Sequence, residues 1–395
     1  MEGIKDKKVQ PFTQLIEEVE EVFGRRVSSS RDCIQLSEEI YFRTSFRINP
    51  NTLRRFFGLV KADYPPSAGT LGILSKYCGF DTLDDLLASK QARKGLVHSE
   101  AKTLLDYLVN LFRTTNVRSM NDETFLALVR QTIQFLQQQP QLIDKFQRAI
   151  ARTKNGQEYY FEQFVNIDRL NSYYGEGLRY YLMEKQTPDA QIFGYSLLCQ
   201  KAWLSNDGHA LKKYFDELSR QKMPRNAHPF ICGRFFASHI FYADLHGLNP
   251  ERILIDAQQA HSNLHPFKDN YGMFPCFEYV FTIALVLTSH YQEALYYMDY
   301  AEKNYSGKHS YIDQGYYKTM QLIQGIALAR LQEKEQAESI YRQIRPSQFY
   351  FLTKKTNTIL YILLAGLIKK KNATMDHQLA TLVQETGFKK LEQFK

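Results

Sequence analysis

Long apolar runs are missing from these 395 residues. The longest candidate, TILYILLAGLI from Thr358, stops at Lys369, short of the ~18–20 apolar residues that span a bilayer. No membrane span is expected. The opening MEGIKDKKVQPF has no apolar segment behind its charges, so no secretory signal is expected and the cytoplasm is the expected location. Cysteine is scarce. Cys33, Cys78, Cys199, Cys232 and Cys276 are scattered and never form C-x-x-C, which argues against a zinc ribbon or thioredoxin-like site. Such a set fits buried thiols in a reducing compartment.

Catalytic signatures are also missing. There is no G-x-x-x-x-G-K-[ST], no G-x-S-x-G and no G-x-G-x-x-G after a strand pattern. No grouping supplies nucleophile, base and oxyanion donors together, so neither an enzyme nor a cofactor is expected. His261 and His265 are four apart, as metal ligands on a helix can be, but no third ligand is identifiable and Pro266 follows. They read as surface histidines near a helix end. His239 and His246 read as packing or solvent-facing groups.

Strand-type alternation is nearly absent, and what remains is helical. Apolar residues make up 44% of the chain, enough for a substantial core, with 27 Phe and 26 Tyr against one Trp. They recur at three and four, the helix period. Leu104, Leu105, Leu108, Leu111 and Phe112 follow a Ser99–Glu100 start. Phe125, Leu128, Val129, Ile133 and Leu136 follow the N-cap cluster NDE. Pro140 suits a first helical turn, and Gly156 is read as closing that helix. The fold class expected is all-α. A polar, basic seam at ASKQARKGLVH (88–98) and a second near KQTPDA (185–190) divide the chain into 1–92, a connecting region 93–184, and 185–395.

The C-terminal part repeats. FTIALVLTSHYQEALYYMDYA from Phe281 aligns with QGIALARLQEKEQAESIYRQI from Gln324 at an offset of 43 residues. Ala284 falls on Ala327, Ala294 on Ala337 and Met298 on Tyr341. Gly325, Leu328, Ala337 and Tyr341 then sit at the small, large, small, aromatic spacing of the tetratricopeptide pattern, in a lengthened form, since that repeat usually has ~34 residues. Small residues let two antiparallel helices approach, and the aromatic fills the gap to the next pair. Stepping further reaches Ala210, Ile253 and Ala380, which predicts a solenoid of about five helical hairpins. An irregular helical bundle is the alternative.

Near the N-terminus, five basic residues and no acid lie between Arg43 and Lys61. A first helix is expected over Arg31–Ser45 with Ile34, Ser37, Ile40 and Tyr41 on its inner side. FRIN makes a turn, Asn49 caps, and Pro50 opens a second helix that ends at Gly58. On a helical wheel Leu53, Phe56, Phe57 and Val60 form the core face, while Asn51, Arg54, Arg55 and Gly58 gather opposite. Asp81 reads as a later N-cap. Guanidinium forks and an amide on an exposed helix are what reading base edges requires, although any solvated amphipathic helix has a similar outer face.

Pro66, Ser67, Thr70, Leu71, Leu74, Gly79, Leu83, Leu86 and Leu87 follow in YPPSAGTLGILSKYCGFDTLDDLL. Over about 60 residues the chain resembles the Cro/λ-repressor-type helix-turn-helix domain. It departs from that family in a longer first helix, a Ser30–Arg31–Asp32 start, and a long LVKADYPP loop. The resemblance implies a recognition helix at Pro50–Phe57 and DNA contacts from Asn51, Thr52, Arg54, Arg55 and Lys61. Joined to degenerate tetratricopeptide-like repeats, it is similar to bacterial peptide-responsive transcription regulators.

That resemblance implies double-stranded DNA and a peptide or protein as partners, and a homodimer that sets two recognition helices ~34 Å apart. Tyr195, Cys199, Trp203, Arg234, Ser238, Tyr242, Tyr279 and Ile283 would line the ligand groove, with Lys201 and Arg234 serving an acidic ligand. Charge demands none of this. The net charge of +8 permits an anionic partner, and residues 1–95 hold 15 Lys/Arg against 13 Asp/Glu. A protein-interaction adaptor whose N-terminal unit docks on protein therefore stays open. The basic turn IKKKN (368–372) reads as a solubilising loop between two helices.

Overall fold

Every regular element in the computed structural model is helical among the residues it describes: 11–61, 64–264, 274–305 and 311–392. The chain divides into two units between Leu104 and Leu105.

The first unit holds α1 (Pro11–Phe23), α2 (Ser30–Thr44), α3 (Pro50–Phe56), α4 (Ala68–Tyr77) and the start of α5 (Leu83–Thr114). A reciprocal capping box starts α2: Asp32 N–H donates to Ser29 Oγ and Ser29 N–H donates to Asp32 Oδ2. Cys33, Leu36, Ser37 and Ile40 are its buried face, while Ile34 and Tyr41 are 49% and 52% exposed. Ser37 and Ile40 thus face inward as expected, while Cys33 and Leu36 take the places expected of Ile34 and Tyr41, because they meet Leu53, Phe56 and Leu74 in the core. Ser37 Oγ donates to Ile48 C=O at 2.5 Å and pins the turn into α3.

Asn49 caps α3 through Asn51 N–H, and Pro50 opens it, as the residue types predict. Only seven residues are helical. Gly58 takes a left-handed φ of +70°, and the N–H groups of Leu59 and Val60 turn back onto Arg54 C=O. The helical wheel stops applying there, so Val60 is exposed and Leu59 packs in its place. Thr82, rather than Asp81, caps α5 through a reciprocal box: Asp85 N–H donates to Thr82 Oγ1 and Thr82 N–H to Asp85 Oδ2. The 88–98 stretch lies inside this 32-residue helix, as does the Ser99–Glu100 start. Ala, Lys, Gln and Arg are strong helix formers, and the lone Gly95 costs only ~1 kcal/mol.

The second unit begins with α6 (Glu123–Gln138, capped by Asp122), α7 (Pro140–Ile150), a π-helical stretch Gly156–Gln163, a 3₁₀ turn Ile167–Arg169 and α8 (Tyr173–Glu184). Gly156 therefore opens the π-helical stretch rather than closing α7. Five antiparallel pairs follow among the described residues: α9/α10 (Pro188–Leu204, Gly208–Ser219), α11/α12 (Pro229–His246, Glu251–Leu264), α13/α14 (Cys276–Leu287, Tyr291–Asn304), α15/α16 (Tyr311–Arg330, Lys334–Gln343) and α17/α18 (Lys354–Leu367, Ala373–Thr386). A short α19 (Lys389–Glu392) ends the described chain.

The repetition is visible in the backbone. Each pair turns on one left-handed residue: Asn206, Gly247, Ser289, Gln332 and Lys369. The next N–H reaches back five residues, to Ala202, Ala243, Leu285, Leu328 and Ala365, at 2.7 to 2.9 Å. This is the Schellman closure, made five times. Turn length is not constant, widening from Ser205–Asp207 to Ile368–Asn372. A fixed sequence offset therefore drifts. Ala284, Ala294, Ala327 and Ala337 are fully buried, but Ala380 is exposed beside buried Leu379, and Leu211 and Ala257 are the fully buried positions near Ala210 and Ile253.

First helices pack on one another in series, α9 on α11, α11 on α13, α13 on α15 and α15 on α17. Sandwiched on several sides, they are apolar nearly all round. At Gly233 a Cβ would come within 2.9 Å of Phe277 C=O, so glycine lets α11 and α13 touch by backbone. At Gly325 a Cβ would come 2.8 Å from the Leu364 Cδ2 of α17, so there glycine makes room for a side chain.

The series closes on itself. Asp168, buried in the 3₁₀ turn, accepts from Lys355 N–H (2.7 Å), Thr356 N–H (2.9 Å) and Thr356 Oγ1 (2.7 Å), capping α17 across the sequence. Asn171 Nδ2 donates to Gly387 C=O, α19 packs on α9, and Lys390 pairs with Asp244 at 3.2 Å. The basic turn joins α17 to α18, with Lys370 on Glu338 and Lys371 on Asp376.

Candidate functional site

Two places carry the sequence expectations, one in each unit. The first is α3. Its inner side is Leu53 and Phe56, with Phe57 edge-on to Phe56 at 5.1 Å. Asn51, Arg55 and Lys61 are exposed, and Thr52 and Arg54 are half-buried. The two arginines differ. Arg54 lies down, its Nη1 donating to Asn51 Oδ1 at 3.2 Å and its Nε buried without a partner. Arg55 is the guanidinium that projects from this helix. Nearby cations are committed: Arg43 to Glu39 at 3.0 Å, Arg47 over Tyr41 and Lys76 over Phe46. Phe42 and Tyr64 are 89% and 85% exposed on the same unit.

The second place is a cavity of 1310 Å³ in the C-terminal unit. Its walls are the inner faces of the first helices, each contributing residues at helical spacing: Phe193, Ser196 and Gln200 on α9, Phe230, Arg234, Ala237 and Phe241 on α11, and Tyr279, Ile283 and Leu287 on α13. Tyr316 and Thr319 of α15, and Thr356, Asn357 and Leu360 of α17, complete the wall. Asp168 builds the site indirectly, since it fastens the N-terminus of α17. Exposed Met120, Glu123 and Ala127 line one end, so the cavity opens to solvent there.

Arg234 is its most unusual group. Only 8% exposed, it lies 5.4 Å from the Phe193 ring centroid, and its Nε has no hydrogen-bond partner. Burial pulls its pKa down, while the Tyr174, Tyr279 and Tyr316 hydroxyls act the other way. Tyr279 and Tyr316 pack with centroids 4.8 Å apart. Thr319 Oγ1 donates to Asn357 Oδ1 at 3.1 Å. Burial pulls His228, also on the wall, down to about 4, which leaves its imidazole neutral at pH 7.

Of the eight residues expected in the groove, Arg234, Ser238, Tyr279 and Ile283 line the cavity. Tyr195, Cys199, Trp203 and Tyr242 do not. Tyr195 lies near Glu217 and Arg220 of the α10 segment. Cys199 is buried, which pushes its thiol up. Trp203 is fully buried, its Nε1 donating to Asp244 at 2.8 Å and its ring against Phe241. Tyr242 stacks on Phe215 at 4.0 Å. A repeat alanine locates a hairpin but not the rotation of its helix, and on α9 the lining face is one residue round, at Phe193, Ser196 and Gln200. Lys201 pairs with Glu176 at 3.7 Å instead of facing the cavity.

His261 is buried, contrary to the surface reading, with its Nε2 2.8 Å from Glu278 Oε1 beneath Phe277, Tyr297 and Tyr300. His265 lies outside the described residues. His239 Nδ1 and His246 Nδ1 each bond the backbone carbonyl four residues back. No helix among the described residues is long and apolar enough to cross a membrane. Comparison of the chain with protein-family models, with curated proteins and with solved structures finds no match.

Proposed function

We propose that this chain is a DNA-binding regulator whose helical-hairpin domain, tetratricopeptide-like in its spacing, senses a ligand in its cavity. The observation that carries the DNA half is Arg55: an exposed guanidinium on a short, capped helix whose approach from α2 is pinned by Ser37. Asn51 beside it offers an amide for an adenine edge, and Lys61 a phosphate contact. Dimerisation and a peptide or protein ligand belong to the same reading. The test is selection from a random duplex pool with the intact chain, followed by titration at several salt concentrations. Arg55→Ala should weaken the selected site by ~1–3 kcal/mol and relax preference at one base pair. Lys61→Ala should weaken all sequences alike and lower the salt slope by about one. Binding unchanged in both variants would remove α3 from the role.

A second reading has its own support. The N-terminal unit exposes Phe42 and Tyr64 almost completely, and Arg43, Arg47 and Lys76 are occupied by neighbours. Aromatic side chains are enriched at protein–protein interfaces. On this reading the chain is a non-enzymatic adaptor. No duplex affinity at ~50 mM salt, together with capture of one specific protein that is lost in Phe42→Ser, would favour it.

A further inference from the structure

We propose that the cavity of the C-terminal unit binds an apolar carboxylate: Arg234 grips the carboxylate group, and the aromatic wall receives the apolar body. This deepens the ligand-sensing half of the reading above and rests on it, but it does not depend on DNA binding.

A buried cation is stable only when something answers its charge. The groups that bear electrostatically on Arg234 are the hydroxyls of Tyr174, Tyr279 and Tyr316, none of them a carboxylate. Its Nε is buried and has no hydrogen-bond partner. Of the acids lining the cavity, Glu162 accepts from Tyr181 and Lys185, Glu158 faces Lys154 at 3.9 Å, and Glu123 and Asp189 lie in the first turns of α6 and α9. A guanidinium fork with no protein anion, facing a solvent-connected cavity, is the arrangement a bound anion completes.

The charge count sets the class of anion. Lys185 is spent on Glu162, Arg130 lies exposed on α6, and His228 is neutral near pH 7, so Arg234 is the cation held deep in the wall. One positive charge balances one carboxylate and falls short of a phosphate dianion. Phe193, Tyr279 and Tyr316 around it receive apolar surface, while Thr319 and Asn357 supply polar groups beside them. Two sources present this chemistry: a small apolar organic acid, and the free C-terminus of a short apolar peptide.

The experiment uses the full chain with two panels, octanoate and phenylpropionate in one and short apolar peptides with free C-termini in the other. Each acid is paired with its primary amide, and binding is read by calorimetry and by the shift in melting temperature. An acid should bind saturably and its amide roughly 10- to 100-fold more weakly, as loss of a charge-assisted bond implies. The panel that responds identifies the source. Arg234→Met should abolish the preference for acid over amide while keeping or raising the melting temperature of the free protein, because it removes an unanswered buried charge.

Three results would overturn the proposal: amides binding as tightly as acids, a preference that survives in Arg234→Met, or no saturable shift in either panel. Should Arg234→Met unfold, Arg234→Lys serves, since it keeps the charge and loses the fork, and an unchanged acid affinity there would also overturn it. Duplex binding is measured separately, so failure of the DNA reading leaves these outcomes intact.

Discussion

Asp168 is a single side chain that fastens the last helix pair to the start of its unit, and its removal can be worked through in numbers. Asp168→Ala deletes an acceptor used by Lys355 N–H, Thr356 N–H and Thr356 Oγ1. A lost N-cap costs about 0.5–2 kcal/mol, and each net hydrogen bond about 0.5–1.5. Relief of the carboxylate's desolvation offsets part of this. A net loss of about 2–3 kcal/mol is expected, which lowers the melting temperature by about 5–10 °C for a unit of this size.

Asn should cost about as much as Ala, because its amide Nδ2 would face the Lys355 N–H. The assay is intrinsic fluorescence during urea unfolding. Trp203 is the one tryptophan and is fully buried in α9, so emission excited selectively at tryptophan follows the C-terminal unit. Amide exchange at Lys355 and Thr356 should accelerate in the same variant.

The pH dependence has a definite sign. Burial raises the Asp168 pKa, outweighing the hydrogen bonds from Thr356 and Lys355 that lower it. The folded value lies above the unfolded value of ~3.9, so its contribution is fully present below ~3.9 and declines as pH rises through the folded pKa. The stability gap between wild type and Asp168→Ala should narrow as pH rises above about 4 and through the folded pKa. A variant within ~0.5 kcal/mol of wild type with unchanged exchange, or a gap that widens with pH, would refute the closure argument.

Three further outcomes are expected. His261→Ala leaves Glu278 buried without its partner and should cost about 3–5 kcal/mol in urea unfolding, whereas Glu278→Gln should cost less. Gly233→Ala places a Cβ 2.9 Å from a backbone oxygen that cannot rotate away, and should cost about 1–3 kcal/mol despite better helix propensity; Gly72→Ala in α4, with open space around it, should gain about 0.4–1 kcal/mol, both read from thermal melts. Gln332→Gly relieves a left-handed φ of +70° at an exposed turn and should stabilise by about 1 kcal/mol, with a neutral or destabilising result counting against the Schellman description.

The features legible from residue order are local ones. Helical periodicity is a property of neighbouring residues, so the all-α class could be read without coordinates. The caps at Asn49 and Asp122 and the first-turn proline Pro140 depend on one side chain and the next turn, and were likewise legible. The spacing of Ala284, Ala294, Ala327 and Ala337 marked the central pairs, because close helix approach demands a small residue at each crossing.

Tertiary structure decided what depends on rotation and distance. Ile34 against Cys33, and Tyr195 against Ser196, differ by one step on a helix, about 100°, and only the neighbouring helices say which faces inward. A continuous α5 through 88–98 could not be told from a polar seam, since strong helix formers and linker residues overlap in type. The buried His261–Glu278 pair joins residues on separate helices. Asp168 reaches α17 across most of the unit, and no local pattern announces a cap supplied from so far away. The answering charge that Arg234 lacks could be noticed only once its surroundings had assembled.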